Sequence, residues 1–191
     1  MSVAEKWNAR YAAISAGAQD AAWVLREHTH LLPADGDALD LACGLGGNVL
    51  LLAERGLKVS AWDVSAVAIE RLRLEAARRS LSLEAAVRDV VQSPPAPASA
   101  DVIVVAHFLE RALFPALLAA LRPGGLLFYQ TFTRERPAAM DAPTNPDFLL
   151  QPNELRQLCA PLSLLHYFEE GELAQAGHPL AARAALVGRR A

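Results

Sequence analysis

Residues 37–65 run DALDLACGLGGNVLLLAERGLKVSAWDVS, and the reading of this stretch decides the fold. From Ala38 to Cys43 a short apolar run breaks into glycines, and from Asn48 to Arg55 leucines recur at helical spacing before a closing Gly56. Leu57 to Trp62 then alternates as a strand does and ends at Asp63, after which Ser65 can cap a helix running to Arg79. Strand, turn and helix thus occur twice in immediate succession, the arrangement that builds a parallel sheet.

The same pattern extends in both directions. Upstream, Val3 to Leu32 is rich in helix formers and is divided by Gly17, which predicts two short helices ending before Pro33. Downstream, Leu83, Ala85 and Val87 alternate in a third strand over Leu83–Arg88, which stops at Asp89. The three prolines between Ser93 and Ser99 mark a loop. Asp101 to Ala106 is so continuously β-branched that both its faces must be covered, as in a central strand. A helix over Glu110–Leu121 closes at Pro123-Gly124-Gly125, and Leu126–Phe132 is the fifth strand. Arg134–Pro146 is a polar surface loop and Asn153–Ala160 a last helix. Leu162–Glu169 and Leu180–Val187 close the chain as two strands joined through Gly171 and Gly177. The expectation is an α/β, Rossmann-like doubly wound fold, with a mostly parallel seven-stranded sheet, an antiparallel terminal strand pair and helices on both faces. It forms a single domain over residues 1–191, with a helical cap over 1–32 and the core over 33–191.

Composition narrows the function. The 191 residues are 53% hydrophobic and 20% charged with a net charge of -3, so no basic excess suits a nucleic acid or an anionic membrane. The opening MSVAEKWNARY lacks the basic-then-apolar layout of a signal peptide, and no apolar run approaches the roughly 18 residues of a membrane helix; a cytoplasmic protein is expected. Cys43 and Cys159 are too few for a disulfide framework or a structural zinc site and read as free thiols. His28 and His30, two residues apart, point to different sides of a helix, so no metal pair is expected there. The partner implied is a small molecule, and the chain is expected to be a monomer or homodimer.

In doubly wound sheets the ligand lies beyond the carboxyl ends of the strands, and those ends here carry Asp40 to Gly46, Asp63, Asp89 and His107. Ala42, Gly44 and Gly46 have almost no side chain, so a ligand can approach the backbone where the first strand turns into its helix. Asp63 ends the next strand, where a carboxylate can accept both hydroxyls of a ribose. Glycine turn and acidic strand end together indicate an adenosine-type ligand, a dinucleotide as well as a sulfonium nucleoside. Taken singly these residues also have plain readings: turn glycines, a solvated strand end at Asp63, a loop cap at Asp89. Cys43 has no cationic activator beside it and reads as a small buried thiol.

With these residues in place the sequence resembles the class I S-adenosylmethionine-dependent methyltransferases over nearly its whole length. LDLACGLGGN is similar to their first motif, with Ala42 where glycine is commonest; VSAWDVS is similar to the second, VRDV to the third, and DVIVVAHFLERALFPALLAALRPGGLLFYQTF to the fourth and fifth. Among subfamilies it most resembles the small tellurite-resistance-type methyltransferases, which share an opening like Trp7, Arg10 and Tyr11, the AWD strand end, and a segment like Gly171–Leu173. Where members with a proposed metal-oxyanion substrate carry a His-Arg pair after that segment, this chain has Ala174 and Gln175.

The resemblance implies S-adenosylmethionine as cofactor, S-adenosylhomocysteine as product and no metal. Asp40 would hold the methionine ammonium. The turn from Ala42 through Gly44 and Gly46 to Asn48 would pack on the methionine and ribose. Asp63 would take the ribose hydroxyls with Val64 against the adenine, and Asp89 and the Val90 N–H would read the adenine edge. Ala106 and His107 would line the sulfonium, with His107 also a candidate catalytic base or a mere packing residue. Arg10 and Tyr11 would close over the cofactor, while Trp7, Arg134 and Arg136 would face the acceptor, expected to be a tellurite- or selenite-type oxyanion or a thiol. Two other readings stay open: a non-catalytic module that binds the same cofactor, and an NAD-dependent oxidoreductase. The second fits poorly, because A-x-G-x-G-G lacks the third glycine of G-x-G-x-x-G.

Overall fold

The β-branched run at the middle of the chain becomes the middle of a sheet. In the computed structural model, which describes residues 2–14, 19–137, 143–175 and 177–191, β1 (Asp37–Leu41) and β5 (Leu121–Phe132) flank β4 (Ala100–Ala106). Val102, Ile103 and Val104 of β4 are fully buried, as a strand covered on both faces requires. With β2 (Lys58–Asp63), β3 (Glu84–Val87), β6 (Ser163–Phe168) and β7 (Arg183–Arg189), the order is β3-β2-β1-β4-β5-β7-β6. The first five strands pair in parallel; β7 runs antiparallel between β5 and β6. The order reverses between β1 and β4, so the crevice opens at their carboxyl ends.

Helices cover both faces. On one, α2 (Trp23–Glu27), α3 (Gly47–Glu54) and α4 (Ala66–Arg78) bury Val24, Leu25, Leu52, Ile69 and Leu72 against the sheet. On the other, α5 (Phe114–Ala120) and α6 (Glu154–Leu158) bury Phe114, Leu117 and Leu155. The segment expected as a cap is thus of two kinds: α2 belongs to the core, whereas α1 (Val3–Ala13) buries no residue completely. Gly17, expected to divide them, lies outside the described residues, as do residues 138–142 of the expected Arg134–Pro146 loop.

Several boundaries differ from the sequence reading, each for a local reason. β5 starts at Leu121, ahead of Pro123-Gly124-Gly125, and that turn becomes a bulge where the register against β4 shifts from Ala100↔Leu121 to Val102↔Leu126. β7 starts at Arg183, not Leu180, because Leu180 accepts the Arg183 N–H in a turn at 2.9 Å, and nothing in LAARAALV marks where turning stops. The last helix shrinks to Glu154–Leu158, opened by Asn153 with a left-handed backbone (φ 60). The prolines between β3 and β4 exclude a helix there. Instead Arg88 lays its guanidinium 3.7 Å above the Trp62 ring, covering part of a groove over β1, β2 and β3.

Polar contacts dock α1. Ser2 and Glu5 cap its start reciprocally. Asn8 Oδ1 accepts from Ser65 Oγ at 2.6 Å and Val67 N at 3.3 Å, at the start of α4. Arg71 of α4 donates to the Tyr11 and Ile14 carbonyls at 2.6 and 2.9 Å, at the C-terminal end of the helix. Because α1 contributes so little to the core, Asn8→Ala is expected to speed amide hydrogen exchange across residues 3–13 while lowering global stability by no more than about 1 kcal/mol. Exchange by mass spectrometry beside a urea titration checks this; a large global loss with unaltered exchange in α1 would contradict it.

Candidate functional site

The turn after β1 is built on left-handed backbone. Ala42 (φ 57), Gly44 (φ 53) and Gly46 (φ 82) all occupy that region, and α3 starts at Gly47. At Gly44 a Cβ would lie 2.8 Å from the Tyr11 hydroxyl oxygen, so only glycine lets α1 close onto the turn. At Gly46 a Cβ would lie 2.3 Å from Leu72 Cδ1, so this glycine serves helix packing and the turn itself. The backbone freedom expected for ligand approach is therefore concentrated at Ala42–Gly44. Cys43 is a buried thiol whose pKa burial raises further, as its inert reading requires.

Two carboxylates converge on this turn. Asp40, on β1, is 1% exposed; its Oδ1 accepts from Asn48 Nδ2 at 3.4 Å, while its Oδ2 is buried without a partner. Burial pushes its carboxyl up to about 8, the Asn48 bond opposing and the Asp63 charge adding. Asp63, ending β2, accepts from Gly44 N through Oδ2 and from Ser65 N through Oδ1, both at 2.8 Å. Burial raises it too, against those backbone bonds. Asp63 thus fastens the glycine turn to the second strand, and each oxygen keeps a lone pair for a further donor.

The other expected residues ring this pair unequally. Tyr11 lies over Gly44, and burial and Asp63 raise its phenol pKa. Trp7 stacks on Tyr11 at 5.6 Å, with Arg10 5.3 Å over the Trp7 ring, so the three form one layer on α1. Val64 and Ala106 are half-buried beside the strand ends. Asp89 is exposed two residues past β3, and its Oδ1 accepts from Val91 N (2.9 Å) and Gln92 N (3.3 Å); Val90 beside it is buried. His107 has a left-handed backbone (φ 58) and stays exposed at its rim; partial desolvation of its ring first, then the Arg183 charge, lowers its pKa, which favours the neutral ring at pH 7. Arg134 is exposed against the Gln151 amide, and Arg136 donates to the Thr133 carbonyl at 3.4 Å.

Two residues outside the sequence reading complete the site. Gln130, buried on β5, accepts the Val24 N–H at 3.1 Å and turns its amide nitrogen to His107 Nε2 at 3.4 Å. Its signal was a lone amide inside LLFYQTF, at the carboxyl end of a strand. Arg183 starts β7 and carries the charge that His107 feels. Among the described residues no group of three His, Cys, Asp or Glu is arranged to hold a metal ion, and no helix is long and apolar enough to cross a membrane.

Known proteins match parts of this chain. Residues 38–125 match the family described as "Methyltransferase domain". Hemagglutinin 1 of Eikenella corrodens is 34% identical over 140 residues, which are 69% of this chain and 45% of that protein. The ubiquinone biosynthesis O-methyltransferase of Idiomarina loihiensis is 31% identical over 104 residues, 50% of this chain and 42% of the relative. The chain thus spans less than half the length of these curated relatives. The crystal structure of TehB from Haemophilus influenzae superposes with a TM-score of 0.70 at 22% identity, covering 88% of this chain and 61% of that one. Residues 38–125 are thus similar to a methyltransferase domain, and the fold of the chain is the Rossmann-like one of the structure it superposes on.

The Asp40 geometry makes a pH prediction. An acid whose folded pKa is raised contributes stability that is complete below its unfolded value, near 4, and lost as pH rises through its folded value, here about 8. Ligand-free wild type is therefore expected to lose stability relative to Asp40→Asn between pH 5 and 8. Paired urea titrations across that window check it; a constant difference would mean that Asp40 titrates as an exposed carboxyl does.

Proposed function

We propose that this chain is an S-adenosylmethionine-dependent methyltransferase acting on a small-molecule nucleophile. The observation that carries the reading is the buried, unpartnered Asp40 Oδ2 at the mouth of the glycine turn. A buried carboxyl with an oxygen left free calls for a partner, and an incoming ammonium would supply a donor whose charge favours the ionised form that burial disfavours. The methionine ammonium fits there, with the ribose hydroxyls donating to the remaining lone pairs of Asp63 and the adenine between Val64 and the Asp89–Val90 turn. Asp89 would contribute through Oδ2, since the turn bonds from Val91 and Gln92 both go to its Oδ1. The bound cofactor would supply a methyl group on a sulfonium, displaced in line to leave a neutral thioether, so no acid is needed at the leaving group. Tyr11, Trp7 and Arg10, closing from α1, would exclude water.

The acceptor side lies across Ala106 and His107. Neutral His107 is available as a hydrogen-bonding group, and a compact nucleophile, an oxyanion or a thiol, suits a crevice closed by one short helix. Ala174, standing where a histidine would serve a metal oxyanion, is buried and has no polar side-chain atom, which favours other acceptors over tellurite. The net charge of -3 and the lack of a basic surface excess support a soluble acceptor over a nucleic acid, and a cytoplasmic monomer or homodimer remains part of this proposal.

Calorimetry with S-adenosylmethionine, S-adenosylhomocysteine and NAD tests the cofactor, and labelled methyl transfer into extract divided by a small-pore membrane tests the acceptor. Binding of the first two without NAD, with label in the filtrate, is expected; label confined to retained macromolecules would refute the small-acceptor reading. Asp63→Ala is expected to weaken S-adenosylhomocysteine binding by about 1.5–3 kcal/mol, the loss typical for hydrogen bonds to a charged acceptor. Unchanged affinity in a folded variant would remove Asp63 from the site.

A further inference from the structure

Arg183 is a half-buried cation with no anion to meet it among the described residues. Its Nη1 donates to the Pro179 and Ala181 carbonyls at 3.1 and 3.2 Å, which anchors the guanidinium, yet its Nε is buried without any partner. Burial alone shifts its pKa, downward, so no carboxylate compensates the charge among the described residues. Keeping a guanidinium half-desolvated and unpaired is costly, and such costs persist where a ligand's charge offsets them.

Its position says which ligand. Arg183 pairs with Phe132 across β5 and β7 and lies 4.8 Å over that ring, and the His107 ring lies 5.3 Å from the same ring. Guanidinium, phenyl and imidazole thus form one wall at the carboxyl ends of β4 and β5. Gln130 completes it. Because its carbonyl oxygen is occupied by the Val24 N–H, its amide nitrogen faces His107 Nε2, which must accept; the ring proton then sits on Nδ1. His107 is therefore an N–H donor, and Gln130 is its positioning residue. With Nη1 tied down, the Nε–Nη2 edge of Arg183 offers two parallel N–H groups, the geometry that grips two oxygens of one anion.

We propose that Arg183 holds a two-oxygen anionic group, a carboxylate or an inorganic oxyanion, on its Nε–Nη2 edge, in a subsite that includes His107. That this anion belongs to the methyl acceptor rests on the methyl-donor reading above; the binding of an anion at Arg183 does not.

The test is thermal unfolding of the full chain, with and without saturating S-adenosylhomocysteine, in formate, in sulfate, and in chloride at matched ionic strength. Wild type is expected to show a saturable rise in Tm over chloride with formate or sulfate, and formate should move the His107 ring resonances. A stronger response to formate identifies a carboxylate, a stronger response to sulfate an inorganic oxyanion. Arg183→Gln is expected to weaken the apparent anion affinity by about ten-fold or more, and Arg183→Lys, which keeps the charge without the two-donor edge, by less. S-adenosylhomocysteine affinity should stay the same in both variants. The proposal is overturned if neither anion gives a saturable rise in wild type, or if both variants respond as wild type does. It is also overturned if loss of Arg183 weakens S-adenosylhomocysteine, since the methionine carboxylate would then be its anion. Failure of wild type to bind S-adenosylhomocysteine would refute the methyl-donor reading and leave the anion result standing.

Discussion

One amide holds the site together. Asn48, the second residue of α3, accepts the Ala22 N–H through Oδ1 at 2.8 Å and donates to Asp40 through Nδ2. It therefore ties the start of α2 to the carboxyl group of Asp40, next to the last residue of the first strand. Both ends are buried, where an unpaired N–H or carboxylate oxygen is far more costly than at the surface. This single side chain fixes where the N-terminal segment crosses the crevice. It also decides which Asp40 oxygen is spent internally and which remains for a ligand.

The same economy recurs across the crevice. Gln130 does for α2 and His107 what Asn48 does for α2 and Asp40, and the two amides receive the N–H groups of Val24 and Ala22, two residues apart. The N-terminal segment is thus hydrogen-bonded to both sides of the switch point, β1 through Asp40 and β5 through Gln130. α1, beyond it, rests on Asn8, Arg71 and the Tyr11–Gly44 contact, contacts local enough to open without unfolding the sheet. Rigid walls and a lightly held cover suit a ligand that must enter, be shielded from water and leave.

Charge is distributed unevenly between the two sides. Asp40 and Asp63 crowd the β1–β2 side, each raised by burial and each adding to the raised pKa of Tyr11. Across His107, the half-buried charge is Arg183. A ligand set with a cation toward Asp40 and an anion toward Arg183 would relieve both, which links the proposed cofactor and acceptor subsites through electrostatics alone.

Much of this was legible from residue order. Period-two and helical apolar patterns, the glycine-rich turn and the prolines before β4 set the strand count, the parallel core and the place of the crevice, because those signals act within a few residues of each other. Asp40, Asp63 and Tyr11 were identifiable because strand ends and a family-like opening marked them. Other features depended on contacts between distant segments. Whether Gly46 serves a ligand or Leu72, whether Asp89 is free or turned on its own loop, and which way the Gln130 amide points are settled by neighbours that arrive from elsewhere in the chain. Arg183 shows the limit most plainly: in AARAALV it is one arginine at a strand start, and only the antiparallel pairing with Phe132 places it beside His107, half-buried and with its Nε unpartnered. Local sequence determines local conformation through short-range sterics and hydrogen bonding, whereas the burial of a charge is a property of the assembled core, which only the tertiary structure decides.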